Sequence, residues 1–121
     1  MSIQLQMEQM PGYLVARFIG SGVAEEVWRQ FELIARYCRR AKGDKLLIDV
    51  TRAEGEAASV IEKYFAAEES RIFARYRMKV AVIEKSERMD PRRFFLLAAQ
   101  NRGVSVEAFT DFQAAQEWLL K

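Results

Sequence analysis

The 121 residues give room for one compact domain, 1–121, able to bury about two thirds of its unfolded surface without a disulfide or metal. Half of them are hydrophobic, 30% are charged and 12% are aromatic, a globular rather than a disordered composition. The chain has no histidine and one cysteine, which excludes His-based triads, His or Cys zinc sites and an intrachain disulfide; 19 basic against 17 acidic residues leave a net charge of only +2.

The N-terminus lacks a basic start and a continuous apolar run, so no signal peptide is expected. No stretch approaches ~18 consecutive apolar residues, so no membrane span is expected, and the reading is a cytoplasmic protein. Ile3, Leu5 and Met7 alternate with Gln4, Gln6 and Glu8, the two-residue period of a half-buried strand. Pro11-Gly12 turns the chain into a second strand, Tyr13 to Ile19, and Gly20-Ser21-Gly22 breaks it. From Val23 to Lys42 the period is helical, with Val27, Phe31, Ile34, Ala35 and Cys38 on one face, acids at the start, bases at the end and Gly43 suited to a left-handed cap.

Lys45 to Val50 holds an apolar run without alternation, with Asp49 inside it, the pattern of a central parallel strand buried on both faces. A polar loop, Thr51 to Glu56, leads into a helix over Ala57 to Arg75, where Ile61, Phe65, Glu68 and Ile72 share a stripe beside Val60, Tyr64 and Ala67. Met78 to Ile83 is another buried strand. Asp90-Pro91 opens a third helix with Asp at the cap and Pro at the first position, and Asn101-Arg102-Gly103 closes it. Val104 to Phe109 alternates as a more exposed strand. Thr110 and Gln113 form a capping box for a last helix that turns Phe112, Ala115, Trp118 and Leu119 inward. The order β-β-α-β-α-β-α-β-α predicts an α/β fold: an N-terminal β-hairpin, then alternating βα units, in a mostly parallel five-stranded sheet with four helices.

Three segments carry a resemblance: the central strand Lys45 to Val50, the strand Lys79 to Ile83, and the run from Asn101-Arg102-Gly103 through Phe109-Thr110-Asp111 to Trp118-Leu119. Together with the element order they resemble the SpoIIAA-like branch of the STAS family, the domain of sulfate transporters and anti-sigma factor antagonists, over nearly the whole chain. The resemblance implies the SpoIIAA-like fold, regulatory partners of the kind found around kinases and, more distantly, a kinship with SEC14-type lipid carriers. Phosphorylated STAS regulators place Asp-Ser followed by Gly at the start of the helix after the central strand. The corresponding stretch here, Thr51 to Ser59, has no Asp-Ser pair, and Val60 follows Ser59, so no phosphoswitch is expected on Ser59.

Ligands of open parallel sheets bind beyond the carboxyl ends of the strands. That edge collects Asp49, Thr51, Arg52 and Glu54 from one loop, and Ser86 and Arg88, with Glu84 and Lys85, from the next; Arg92 stands in the first turn of the helix from Asp90. Arginines and helical N–H groups there suit a phosphate or carboxylate, while the same residues also suit a solvated, internally paired loop. Asp49 inside an apolar strand needs hydrogen-bond partners, and holding a neighbouring loop is a better fit than general-base chemistry, because no second carboxylate stands at a fixed spacing from it. Tyr64 with Phe65, and Phe94 with Phe95, point about 100° apart on their helices, so one of each pair is expected in the core and the other is open to a cleft or a subunit interface, with wide core packing a better fit than a lipid pocket. Arg36, Arg39, Arg40 and Lys42, and later Arg71, Arg75, Arg77 and Lys79, read as charged solvated faces, and no nucleic acid is expected at a net charge of +2.

The resulting expectation is a non-enzymatic regulatory or binding domain, without a cofactor or metal, that acts through a protein partner or a small apolar or anionic ligand. The alternative is a SEC14-like carrier of an apolar or lipid ligand. A homodimer is expected as well, through either of two surfaces: the first strand, a sheet edge guarded by little more than Glu8 and Pro11, or the second helix, which carries more aromatic surface than one core-facing stripe can bury.

Overall fold

A computed structural model describes residues 2–121. Its strands are β1 (Gln4–Met10), β2 (Tyr13–Ser21), β3 (Lys45–Glu54), β4 (Lys79–Ile83) and β5 (Ser105–Phe109). They form a single sheet in the order β1-β2-β3-β4-β5, with β1 antiparallel to β2 and every later pair parallel. The expected hairpin and βα alternation are therefore present, and the fold is α/β.

Four helical segments connect or follow the strands, and two of them are split. Between β2 and β3 run α1 (Glu25–Trp28) and α2 (Phe31–Arg40) in place of one helix over Val23 to Lys42. At the joint the Gln30 N–H bonds Val27 O, a tighter turn than the helical ladder, and Trp28 and Phe31 on either side of it are both buried. Between β3 and β4 run α3 (Val60–Glu69) and α4 (Arg71–Arg75). Their joint is Ser70, almost fully buried, whose hydroxyl donates to Ala67 O at 2.6 Å. A serine that returns its proton to the preceding turn bends a helix there.

The third helix, α5, spans Phe94–Asn101 and starts later than Asp90-Pro91 implies. The Asp90 carboxylate accepts the N–H groups of Arg92 and Phe94, so it caps a separate turn, and Arg92 lies in that turn rather than in the helix. The last helix, α6 (Phe112–Leu120), is capped by Asp111, which accepts from the N–H groups of Gln113 and Ala114; the Thr110–Gln113 box does not form.

β3 runs on through Thr51 to Glu54, where a loop is expected from sequence, because β2 also continues and pairs Ile19 with Arg52 and Ser21 with Glu54. The register shifts between Arg17 and Ile19, placing an extra residue on β3, a bulge. Asp49 sits at this bulge and accepts both the N–H and the hydroxyl of Thr51, at 2.9 and 2.7 Å.

The two sheet faces are unequally covered. Leu14, Ala16, Phe18, Leu46, Ile48 and Val80 point to one face, where α1 through α5 pack in the main core. Tyr13, Val15, Leu47, Ala81 and Ile83 point to the other, which α6 covers through Ala115 and Leu119. Trp118 is only partly buried, against Phe109 and under Lys79, and Phe112 is exposed, so half of the expected inward stripe of α6 lies outside the core.

Gly43 has an ordinary backbone, and Lys42 takes the left-handed position at φ 59°. Space is short at 43 instead: a Cβ there would stand 2.0 Å from Leu14 Cδ1, so the buried Leu14 side chain would have to shift.

Candidate functional site

At the carboxyl ends of the parallel strands, α1, α3 and the approach to α5 stand off the sheet and leave a cavity of about 430 Å3. Its floor is Ile48, Val50 and Val82, and its walls include Trp28, Phe31 and Phe95. The volume lies in the usual range of small-ligand sites, roughly 300–1,000 Å3. The mouth is polar, with Glu54, Glu56, Lys63, Glu84, Arg88 and Asp90.

Both cations at the mouth are engaged by the protein. Arg88 donates to Ala53 O at 2.8 Å and to Gly55 O at 3.1 Å, stapling the 3-10 turn Ser86–Arg88 to the end of β3. Lys63 Nζ pairs with Asp90 at 2.9 Å, and that hydrogen bond, helped by the two N–H groups donated by Phe94 and Arg92, holds the Asp90 carboxyl down at about 2. Glu84 is half-buried, and burial raises its carboxyl above the usual range against the pull of the Lys85 N–H and Arg88. Cys38 is buried in the core, and burial pushes its thiol up to about 11, out of nucleophilic range at neutral pH.

The nine residues singled out from sequence separate into four groups. Glu54 and Arg88 line the cavity. Asp49 and Thr51 bond to each other on β3, so the carboxylate serves the bulge. Arg52 and Arg92 are exposed, as is Ser86, whose hydroxyl bonds the neighbouring Glu87. Tyr64 and Phe65 do not reach the cavity wall but stand on the outer side of α3.

That outer side is the feature least expected from the helical pattern. Ala66, Ala67 and, past the joint, Phe73 take the core positions, so the larger stripe is left outside: Ile61 is 66% exposed and Phe65 57%, with Val60 and Tyr64 also exposed. The neighbouring helix extends this surface. The Tyr64 and Phe94 rings lie 6.3 Å apart across α3 and α5, and Leu97, on the next turn of α5, is exposed too. Scattered exposed apolar residues are ordinary, but here Val60, Ile61, Tyr64, Phe65 and Leu97 stand exposed on two helices that pack on each other. The sequence signal of this surface was two apolar stripes on one helix, more than one buried face can take.

The helix N-terminus beside the patch is closed by its own side chains. Ser59 Oγ accepts the Glu62 N–H at 3.2 Å, and Glu62 Oε1 accepts the Ser59 N–H at 3.0 Å.

This arrangement is a SpoIIAA-like fold. It is similar in structure to an anti-sigma factor antagonist from Mycobacterium paratuberculosis, with a TM-score of 0.61 and 17% identity over 99% of this chain and 96% of that one. It is also similar to an uncharacterized protein with a SpoIIAA-like fold from Shewanella loihica, with a TM-score of 0.53 and 20% identity over 97% and 93% of the two chains. The Bacillus cell fate determinant SpoIIAA, in its phosphorylated form, matches with a TM-score of 0.54 and 12% identity over 95% and 99%. No family model and no curated protein matches the chain by sequence.

Proposed function

We propose that the protein is a non-catalytic regulatory domain that works by docking a protein partner on the outer surface of α3 and α5. The observation that carries this reading is the exposed apolar group Val60, Ile61, Tyr64, Phe65 and Leu97. Aromatic residues such as Tyr64 and Phe65 are enriched at the cores of protein interfaces. A neighbour in fold named as an anti-sigma factor antagonist supports a regulatory role. The test is the double variant Ile61→Asp/Phe65→Asp. Both side chains already face solvent, so the fold is expected to hold, with stability changed by about 0.5 kcal/mol or less. Retention of protein partners is expected to fall to background; unchanged retention would sink the reading.

Self-association belongs to the same reading and uses a different surface. β1 lies at a sheet edge, whose unpaired N–H and C=O groups offer a template for a second chain, and twofold dimers are the commonest soluble oligomers. A homodimer at micromolar concentration is the proposal, checked by sedimentation velocity across a hundredfold dilution. A 14.0 kDa species at every concentration would refute it.

A second reading, a carrier of a small apolar ligand, is favoured by the cavity over Ile48, Val50 and Val82. Native mass spectrometry of the purified protein tests it directly: a retained non-protein mass supports the carrier, and the bare chain mass speaks against it.

A further inference from the structure

The sheet's opposite end carries a second concavity with the reverse character. Two basic runs far apart in sequence meet there: Arg39 and Lys42 at the end of α2, and Arg75 and Arg77 at the end of α4. They line a groove of about 520 Å3 in which Asp44 is the only acidic lining residue.

The two helix ends are built alike. After α2, the Lys42 N–H bonds Arg39 O and the Gly43 N–H bonds Cys38 O. After α4, the Arg77 N–H bonds Ala74 O and the Met78 N–H bonds Phe73 O. Each is the reverse turn that ends a helix with one left-handed residue, and the left-handed residues are Lys42 at φ 59° and Arg77 at φ 56°. The Lys79 N–H donates to Asp44 O at 2.8 Å and locks the two turns together.

Glycine fills such a position without strain, and after α5 Gly103 does so. At both turns facing the groove a long cation stands there instead. Compensation of the helix dipoles does not require it, because Arg39, Arg40 and Arg75 already occupy the last turns. None of Arg39, Lys42, Arg75 and Arg77 forms an ion pair with a carboxylate among the described residues. Set against Asp44 and roughly half a negative charge at each helix end, the four leave an excess of about two positive charges. The Arg39 guanidinium lies 4.9 Å from the centre of the Tyr76 ring, and both residues line the groove.

The geometry points to a binding site for a small soluble compound bearing two or more phosphate groups, held between the ends of α2 and α4. Guanidinium forks and a lysine lining one concave space suit phosphate oxygens, and two pairs of cations on separate turns suit more than one phosphate. The concavity favours a discrete anion over a flat lipid surface that shares the same headgroup chemistry.

Calorimetric titration of the whole protein at low salt, with sodium tripolyphosphate and with inorganic phosphate, tests this. Tripolyphosphate is expected to bind more tightly than phosphate and to weaken as salt rises. Lys42→Gly/Arg77→Gly removes two cations and relaxes both turns, so its melting temperature is expected to hold or rise while tripolyphosphate affinity falls by roughly tenfold or more. Arg29→Gln/Arg36→Gln makes the same change in net charge on cations already paired with Glu25 and Glu32, and is expected to keep the affinity. Should the glycine variant melt lower, Arg75→Gln, at an exposed position, is expected to weaken binding in the same direction. An absence of binding heat, unchanged affinity in the glycine variant, or an equal loss in the control pair would overturn the site. So would co-sedimentation with phosphatidylglycerol vesicles that tripolyphosphate fails to displace, since the groove would then serve a membrane surface.

Discussion

Lys63 Nζ lies 2.9 Å from Asp90 Oδ2, joining the inner side of α3 to the turn that precedes α5 at the mouth of the apolar cavity. The pair is mostly shielded from solvent, and the lysine is the main reason the Asp90 carboxyl is held down at about 2. A carboxyl whose folded value is lowered adds stability that is complete above its unfolded value, near 4, and is lost as pH falls through its folded value. Asp90→Asn is therefore expected to destabilise the domain by roughly 1 kcal/mol at pH 6, after allowance for solvent screening, and by almost nothing at pH 2. Urea melts of both proteins at a series of pH values check this; a gap that stays constant with pH would contradict it.

The sequence pattern of α6 treats Phe112, Ala115, Trp118 and Leu119 as one inward stripe, and the structure ranks them. Leu119 has no exposed surface, Trp118 is half-buried against Phe109, and Phe112 is 39% exposed. Leu119→Ala is expected to cost about 2–5 kcal/mol and Phe112→Ala about 0.5 kcal/mol or less, with Trp118→Ala between them. Equal losses at 112 and 119 in denaturant melts would show that α6 docks on the sheet by a different face.

Ser59 stands at the start of the helix after the central strand, with its hydroxyl bonded to the Glu62 N–H and the Glu62 carboxylate folded back on its own N–H. A phosphate there would displace this reciprocal pair and meet the Glu62 charge at close range. Phosphopeptide mapping of protein from cells is expected to find no stoichiometric modification at Ser59, whereas high occupancy would restore a phosphoswitch of the anti-sigma-antagonist kind. Ser59→Ala, which removes the cap alone, is expected to cost about 1 kcal/mol.

Much of the fold was legible because the strands are written in two unmistakable forms. Ile3 to Glu8 alternates as a hairpin strand does, and Lys45 to Val50 and Met78 to Ile83 hold the apolar runs Leu46-Leu47-Ile48 and Val80-Ala81-Val82-Ile83 without alternation, as central parallel strands do. The helix joints were not legible, because Arg29-Gln30 and Ser70 sit in helical periods that do not break; the bends come from tertiary burial of Trp28, Phe31 and Ser70. The extension of β3 through Thr51 to Glu54 was hidden for a related reason: its residues are polar, and only pairing with the end of β2 makes them a strand. At the candidate site, periodicity showed that α3 carries two apolar stripes and could not say which one faces the sheet. The small residues Ala66 and Ala67 let the helix approach closely, and that choice leaves Ile61 and Phe65 outside. The basic groove was divided between two distant runs, Arg39 to Lys42 and Arg75 to Arg77, and only the side-by-side ends of α2 and α4 unite them.

The central claim is that the α3–α5 surface docks another protein, and a photo-crosslinking residue placed at position 65 in cells tests it most directly, with the exposed position 113 on α6 as the control. The expected result is a discrete adduct with a different protein at position 65. That adduct should be absent at position 113 and lost when Ile61→Asp is added. No adduct above background at position 65, or the same adducts at positions 65 and 113, would contradict the claim.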